Sequence, residues 1–330
     1  MSMKKIFVST YPYGKIDDTP LRILQSTTGI QIAFNPYNRK LSKKEIASLA
    51  IDADVLIAGT EDLSQLIQES ASLRMISRVG IGLDSVDLWS CREKGIRVSY
   101  TPDAVTMAVA EFTIGLILSL TRKIARADRE IRKGDWFRHQ GKRLEDTNIG
   151  LIGFGRVGRS VARLLAPFRT KLLVNDLSLE KDAMEEFSRQ GQDIKFVEKD
   201  VIFQSSDIIS LHVPYYSKTK HLINNETLSL MKNSTYLINT ARGELIEEEA
   251  LYKAIHDKTI AGAALDVFTE EPYLGKLTGL EDVLLTQHMG SCSFDCRLAM
   301  ETQAAEEAIR FLEGKPLVRE VPEHEYQYQK

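Results

Sequence analysis

The chain has 330 residues, 43% apolar and 27% charged, with a formal net charge of −3 and a pI near 6.1. That length predicts two domains of ordinary size, with interiors large enough to need no disulfide staples. There is no clustered basic stripe, no block of like charges and no long membrane-type span, and the three cysteines (Cys91, Cys292, Cys296) are too few and too scattered for a metal site or a disulfide framework. Nucleic acid, membrane and metal are therefore not the expected partners, and free thiols point to a reducing, cytoplasmic setting.

In chain order, the first apolar run, 5–9, is too short for a signal-peptide core and reads as a strand. Short β-branched runs follow at 55–58, 74–77 and 97–100. Pro102 then breaks regular structure, and the most apolar window, 105–120, starts just after it. It is shorter than a membrane span and contains Glu111, so it reads as a buried helix. Further strands are expected at 148–152, 171–175, 207–212, 235–239, 260–266 and 283–286, with amphipathic stretches such as 156–166 and 247–256 between them. A last helix, about 293–313, stops at Gly314 with Pro316 beyond. This alternation predicts an α/β fold of parallel sheets, two doubly wound Rossmann-like domains. Returning the last helix to the first domain assigns 1–101 with 293–330 to one domain and 102–292 to a second inserted within it.

The run 148–159 reads strand, glycine turn, helix, and Gly153, Gly155 and Gly158 form GxGxxG. The first glycine permits the tight turn, the second lets backbone approach a pyrophosphate, and the third packs helix on strand. The helix that opens at Arg156 and Val157 would turn its N–H groups and dipole toward the phosphates. The next strand ends at Asp176, 18 residues past Gly158, where a carboxylate suits ribose hydroxyls and repels a 2′-phosphate. Leu177 and Ser178 follow with no Arg to receive that phosphate, so NAD is the expected cofactor. Three later strands end in chemistry-bearing groups: Asn239-Thr240-Ala241-Arg242-Gly243, Asp266 with Glu270-Glu271-Pro272, and His288-Met289-Gly290. A hydride-transfer site needs a cation for a carboxylate, a proton exchanger and a group to orient it, and open α/β sheets collect ligands at such strand ends.

Together these runs resemble the D-isomer-specific 2-hydroxyacid dehydrogenase family, with the phosphoglycerate-oxidising branch nearest in look. The likeness rests also on Val79-Gly80-Ile81-Gly82-Leu83-Asp84-Ser85-Val86-Asp87, on Val109-Ala110-Glu111 and on Leu211-His212-Val213-Pro214, and it spans about 75–312 in the family's order. The resemblance implies that Arg242 binds the substrate carboxylate and carbonyl, that His288 is the acid/base, and that Glu271 orients it. It implies that Val79 and Gly80 hold the carboxylate through backbone N–H groups; Arg78, just before them, is a separate candidate anion contact. It places Asp266 at the nicotinamide amide, His212, Val213, Pro214, Thr240, Ala241 and Gly290 along the cofactor, and a homodimer on the 105–120 region. The substrate would be a small 2-oxo or 2-hydroxy acid, with 3-phosphoglycerate as one candidate. The match departs at Gly59-Thr60-Glu61-Asp62, where the phosphoglycerate branch usually carries Arg; two acids there would repel a phosphate and favour a glyoxylate or hydroxypyruvate type of reductase. The same scaffold also resembles NADH-sensing corepressors, which bind partners rather than turn over substrate. No further domain is expected after residue 330.

Overall fold

The computed structural model describes residues 3–177 and 181–329, so Ser178 lies outside the described residues. The chain divides into two compact units, Met1–Val105 with Ser291–Lys330, and Thr106–Gly290.

The terminal unit is built on five strands, β1 (Lys4–Val8), β2 (Ile30–Phe34), β3 (Val55–Ala58), β4 (Met75–Arg78) and β5 (Arg97–Ser99). All pairs are parallel, in the order β2-β1-β3-β4-β5. β3 and β4 are buried along their whole length, as parallel strands covered on both faces are. Phe7, Leu56, Ile76 and Val98 form a core with Ile46, Leu66 and Ile67 from the covering helices. One of these helices, Lys43–Leu49, starts at a capping box in which Ser42 and Glu45 satisfy each other's backbone N–H groups.

The central unit carries seven strands: β6 (Asn148–Ile152), β7 (Lys171–Asn175), β8 (Ile194–Phe196), β9 (Ile208–Leu211), β10 (Tyr236–Asn239), β11 (Gly262–Leu265) and β12 (Val283–Leu285). They are parallel in the order β12-β11-β10-β9-β6-β7-β8. Successive residues point to opposite faces of a strand. Hence Ile209, Leu237 and Ala263 enter one core cluster while Ile208, Ile238 and Ala264 enter another on the far side. The two clusters are the helix layers of a doubly wound sheet, as the strand–helix alternation predicts. The strand order reverses between β6 and β9, which makes the crevice outside their carboxyl ends the natural ligand position.

The structure differs from expectation in three places. β2 and β8 are strands that no apolar run announced; both are edge strands, and Gln31 and Lys195 within them are exposed. The apolar window lies in the helix Pro102–Thr121, whose sequence is long and apolar enough to cross a membrane by length and composition. Only one stripe of it is buried in the central unit: Ala110, Leu116 and Ile117 join the core while Met107 is half exposed.

Candidate active site

At the end of β6 the chain turns through Gly153 at φ +100, a conformation that residues bearing a Cβ rarely adopt. A Cβ there would run into the backbone of His212, and one on Gly158 would overlap the carbonyl of Gly153. These two glycines let β6, β9 and the helix Arg156–Leu165 approach closely at the point where strand order reverses. Gly155 differs: it caps the helix, is exposed, and a Cβ on it would meet nothing within 4 Å. Open space above a helix N-terminus, with no side chain in the way, is what a pyrophosphate needs. Arg156 is exposed and Val157 half-buried in the first turn. Asp176 closes β7 and accepts the Phe154 N–H at 2.6 Å, so the ribose acid and the glycine turn are one hydrogen-bonded piece. The His212 Nε2 is buried without a partner, and burial pushes the ring's pKa down to about 4, so it is neutral at ordinary pH. An orphaned polar atom beside a cleared helix N-terminus fits a dinucleotide. Val213 packs on the core, while Pro214 is exposed and its carbonyl accepts the Thr219 hydroxyl at 2.8 Å.

The loop after β12 holds His288 at φ +49, again left-handed and unusual for a side-chain-bearing residue. Asp266, at the end of β11 and 1% exposed, fixes that loop. Its carboxylate accepts the Met289 N–H at 2.9 Å, the Gly290 N–H at 2.8 Å and the Thr286 hydroxyl at 2.6 Å, while its carbonyl accepts the His288 N–H at 2.8 Å. Bonds to a charged acceptor contribute about 1.5–3 kcal/mol each, enough together to hold a strained loop. Asp266 and Gly290, expected along the cofactor, are thus tied to each other, and a contact from Asp266 to the nicotinamide amide would compete with these bonds. Thr286 is a member of this brace that the sequence reading missed.

His288 Nδ1 lies 3.0 Å from both Oε1 and Oε2 of Glu271, and the two side chains are 39% and 30% exposed. Glu271 also accepts the Phe268 N–H at 3.2 Å, which orients the carboxylate from its own loop. A neutral ring that donates Nδ1–H to Glu271 carries its acceptor lone pair on Nε2. Glu270, the alternative acid, is exposed and makes no such bond.

Arg242 follows β10 and is half-buried. Its loop is braced by Asn239, which is fully buried, accepts the Ala241 N–H at 3.0 Å and donates to the Arg242 carbonyl at 2.7 Å. Gly243 packs so tightly that a Cβ would overlap Phe268 and Thr269, so the Arg242 loop and the Glu271 loop touch through a glycine. Thr240 is bonded to Thr113 across 3.0 Å. Arg242, Glu271 and His288 therefore stand at the carboxyl ends of three adjacent strands, β10, β11 and β12.

Arg78, Val79 and Gly80 belong to the terminal unit. The Val79 N–H donates to the Ala58 carbonyl at 2.9 Å, and the Gly80 N–H to the Thr101 hydroxyl at 2.9 Å. Both donors are spent on joining β4 to its neighbours. Further along the loop the N–H groups of Ile81 and Gly82, like those of Leu83 and Ser85, donate no such bond. Arg78 is 6% exposed and turns back to donate to the Val79 carbonyl.

Comparison with known proteins agrees with this geometry. The family model of the D-isomer specific 2-hydroxyacid dehydrogenase NAD binding domain matches residues 114–290, more than half of the chain. A glyoxylate reductase of Thermofilum pendens is 38% identical over 284 residues, 83% of this chain and 83% of that protein. A D-3-phosphoglycerate dehydrogenase of Methanocaldococcus jannaschii is 34% identical over 318 residues, 95% of this chain but 58% of that one. The crystal structure of a D-lactate dehydrogenase of Aquifex aeolicus, complexed with NAD and lactic acid, superposes with a TM-score of 0.82 at 26% identity, covering 94% of this chain and 96% of that one. With a dinucleotide turn, a braced histidine and relatives aligned along most of its length, the chain belongs to the D-isomer specific 2-hydroxyacid dehydrogenases, NAD-dependent oxidoreductases of small 2-hydroxy and 2-oxo acids.

Proposed function

We propose that the chain reduces a short, unphosphorylated 2-oxo acid to the D-2-hydroxy acid, with His288 as the proton donor. The observation that carries this reading is the His288–Glu271 pair, 3.0 Å apart on a loop that Asp266 holds in a left-handed turn. Held at the turn Gly153–Gly158, NADH would supply the hydride chemistry at C2. Protonated His288 gives the Nε2 proton to the C2 oxygen as that oxygen gains charge, and Glu271 holds the imidazolium in line. Arg242 neutralises the carboxylate and polarises the carbonyl, a task its planar donor fork suits. In the terminal unit, the N–H groups of Ile81 and Gly82, unlike those of Val79 and Gly80, are left as donors that an acid could use. In the reverse direction neutral His288 accepts the proton of the C2 hydroxyl at Nε2. The domain roles follow: 102–292 binds NAD, and 1–101 with 293–330 binds the acid.

The test is the loss of NADH absorbance with a panel of glyoxylate, hydroxypyruvate, pyruvate, 3-phosphohydroxypyruvate and 2-oxoglutarate, with NADPH in parallel. Turnover of glyoxylate or hydroxypyruvate with NADH supports the reading. Tight NADH binding without turnover of any acid sinks it and favours a corepressor-like binding protein.

The same reading includes a homodimer in the cytoplasm. Met107, Ile124, Ile131, Trp136 and Phe137 of the central unit are all at least half exposed, with Trp136 at 77% and Phe137 at 70%. So much apolar surface on one stretch of chain suits a second copy. Sedimentation should give a dimer, and Trp136→Asp with Phe137→Asp should give a monomer; a wild-type monomer rules the dimer out. None of the three cysteines is in a disulfide, as suits a reducing compartment.

A further inference from the structure

The terminal unit has a switch point of its own. Its strand order reverses between β1 and β3, and ligands of open parallel sheets lodge outside the carboxyl ends of such strands. Two polar groups stand there: Thr10, two residues past β1, and Glu61, three residues past β3. They close over Gly59, where a Cβ would stand 2.9 Å from Thr10 Oγ1 and 3.0 and 3.1 Å from the two Glu61 oxygens.

Glu61 is 2% exposed, and its Oε2 is buried with no hydrogen-bond partner. Arg297 touches this cluster, but it donates to the Thr10 hydroxyl at 3.2 Å, to Glu301 and to the Pro12 carbonyl. The neighbouring acid is placed differently. Asp62 is exposed, accepts the Ser64 N–H at 2.9 Å and hydroxyl at 2.6 Å, and pairs with Lys43 at 3.5 Å. One acid of the loop binds the first residue of a helix, and the other is buried with its Oε2 unpartnered.

The Glu61 loop also lies alongside the loop with the unbonded N–H groups. Val79 N–H donates to Ala58 and Leu63 N–H to the Ser85 carbonyl at 3.1 Å, so 59–62 runs beside 80–84. An acid whose carboxylate sits on the Ile81 and Gly82 N–H groups would extend its carbon chain among these loops. A carboxylate out of water and without donors is costly, and a donor on the ligand removes that cost.

We propose that Glu61 selects the substrate's substituent beyond C2: it accepts a hydrogen bond from a donor there, hydroxyl or ammonium, and turns away a phosphate by charge. This rests on the 2-oxo acid reading above. A phosphate would bring negative charge against a carboxylate in a poorly solvated place. A bare methyl would leave Glu61 unmet, and sites built to hydrogen-bond a substrate group discriminate strongly against analogues that lack it.

The experiment is kcat/KM with NADH for hydroxypyruvate, pyruvate, 3-phosphohydroxypyruvate and 4-amino-2-oxobutanoate, measured on wild type, Glu61→Gln, Glu61→Ala and Asp62→Ala. Wild type is expected to prefer a donor-bearing acid over pyruvate by about 10²-fold, and to reject the phosphorylated acid at least as strongly. Glu61→Gln keeps an acceptor but no charge. It should admit the phosphorylated acid, retain hydroxypyruvate if hydroxyl is the natural donor, and lose the amino acid analogue if ammonium is. Glu61→Ala should bring hydroxypyruvate and pyruvate together. Asp62→Ala should keep the wild-type ratios. Unchanged ratios in folded Glu61→Gln overturn the proposal, even where Glu61→Ala fails to fold. Wild-type turnover of glyoxylate alongside those unchanged ratios leaves the dehydrogenase reading standing; no turnover of any acid overturns both.

Discussion

The two sheets of this protein are built to one plan and end in opposite chemistry. Each is parallel, covered by helices, and reverses its strand order beside its first strand, between β1 and β3 in the terminal unit and between β6 and β9 in the central one. At the central switch point the chain removes side chains: Gly153 turns, Gly158 packs, and Gly155 leaves the helix N-terminus open. At the terminal switch point it keeps them, and Thr10 and Glu61 close over Gly59. Topology therefore sets where a ligand goes, and the residues just past each strand set what kind. Bare backbone N–H groups suit phosphate, whereas a buried carboxylate excludes it.

The largest test of this contrast concerns the chemistry that the central sheet adds at β10 to β12. His288→Ala should lower kcat by about 10²–10⁴-fold while NADH binding, read by fluorescence, is retained. An unchanged kcat would mean that the braced histidine is not the proton donor.

Next come the glycines. Gly153→Ala puts a methyl against the His212 backbone at φ +100 and should cost about 3 kcal/mol or more, with NADH binding lost. Gly59→Ala meets only movable side-chain atoms of Thr10 and Glu61, so NADH affinity should stay as in wild type. Equal damage to NADH binding from both would break the comparison.

The third is a pH effect. His212 has its pKa lowered from 6.5 to about 4, so between those values the unfolded chain binds the extra proton. Its contribution is fully favourable above pH 6.5, declines as pH falls, and levels off below about 4, a loss of about 3 kcal/mol. Denaturant melts of wild type and His212→Gln should diverge in that window; parallel curves would show that the ring is solvated.

The smallest effect belongs to the exposed acid. Asp62→Ala should cost about 1 kcal/mol through the lost Ser64 bonds, visible as a modest drop in melting temperature.

Much of this was legible in the residues. The GxGxxG turn with Asp176 after the next strand is a local pattern, because a pyrophosphate is held by consecutive backbone groups and one helix end. The runs around Arg242, Glu271 and His288 are local too, each ending a buried strand. The edge strands were not legible, since half-exposed β2 and β8 carry no apolar run and become strands only by pairing with a neighbour. Nor was the role of Asp266, whose acceptors are filled from a loop more than twenty residues later. The same holds for the difference between Glu61 and Asp62. They are adjacent acids, yet one is buried with its Oε2 unpartnered and the other is exposed and bound to Ser64.

The sequence by itself determined the α/β class and the position and type of the cofactor turn, and it singled out Arg242, Glu271 and His288 as groups that follow three strands. These follow from period, spacing and side-chain chemistry within a few residues. Only the tertiary structure decided which donors and acceptors remain unused. Val79 and Gly80 spend their N–H groups on neighbouring segments while Ile81 and Gly82 do not, and Glu61 is sealed where Asp62 is not. The physical reason is that a hydrogen-bonding group is available to a ligand only after the rest of the chain has taken its share, and that share is set by strand pairing and burial across the whole unit.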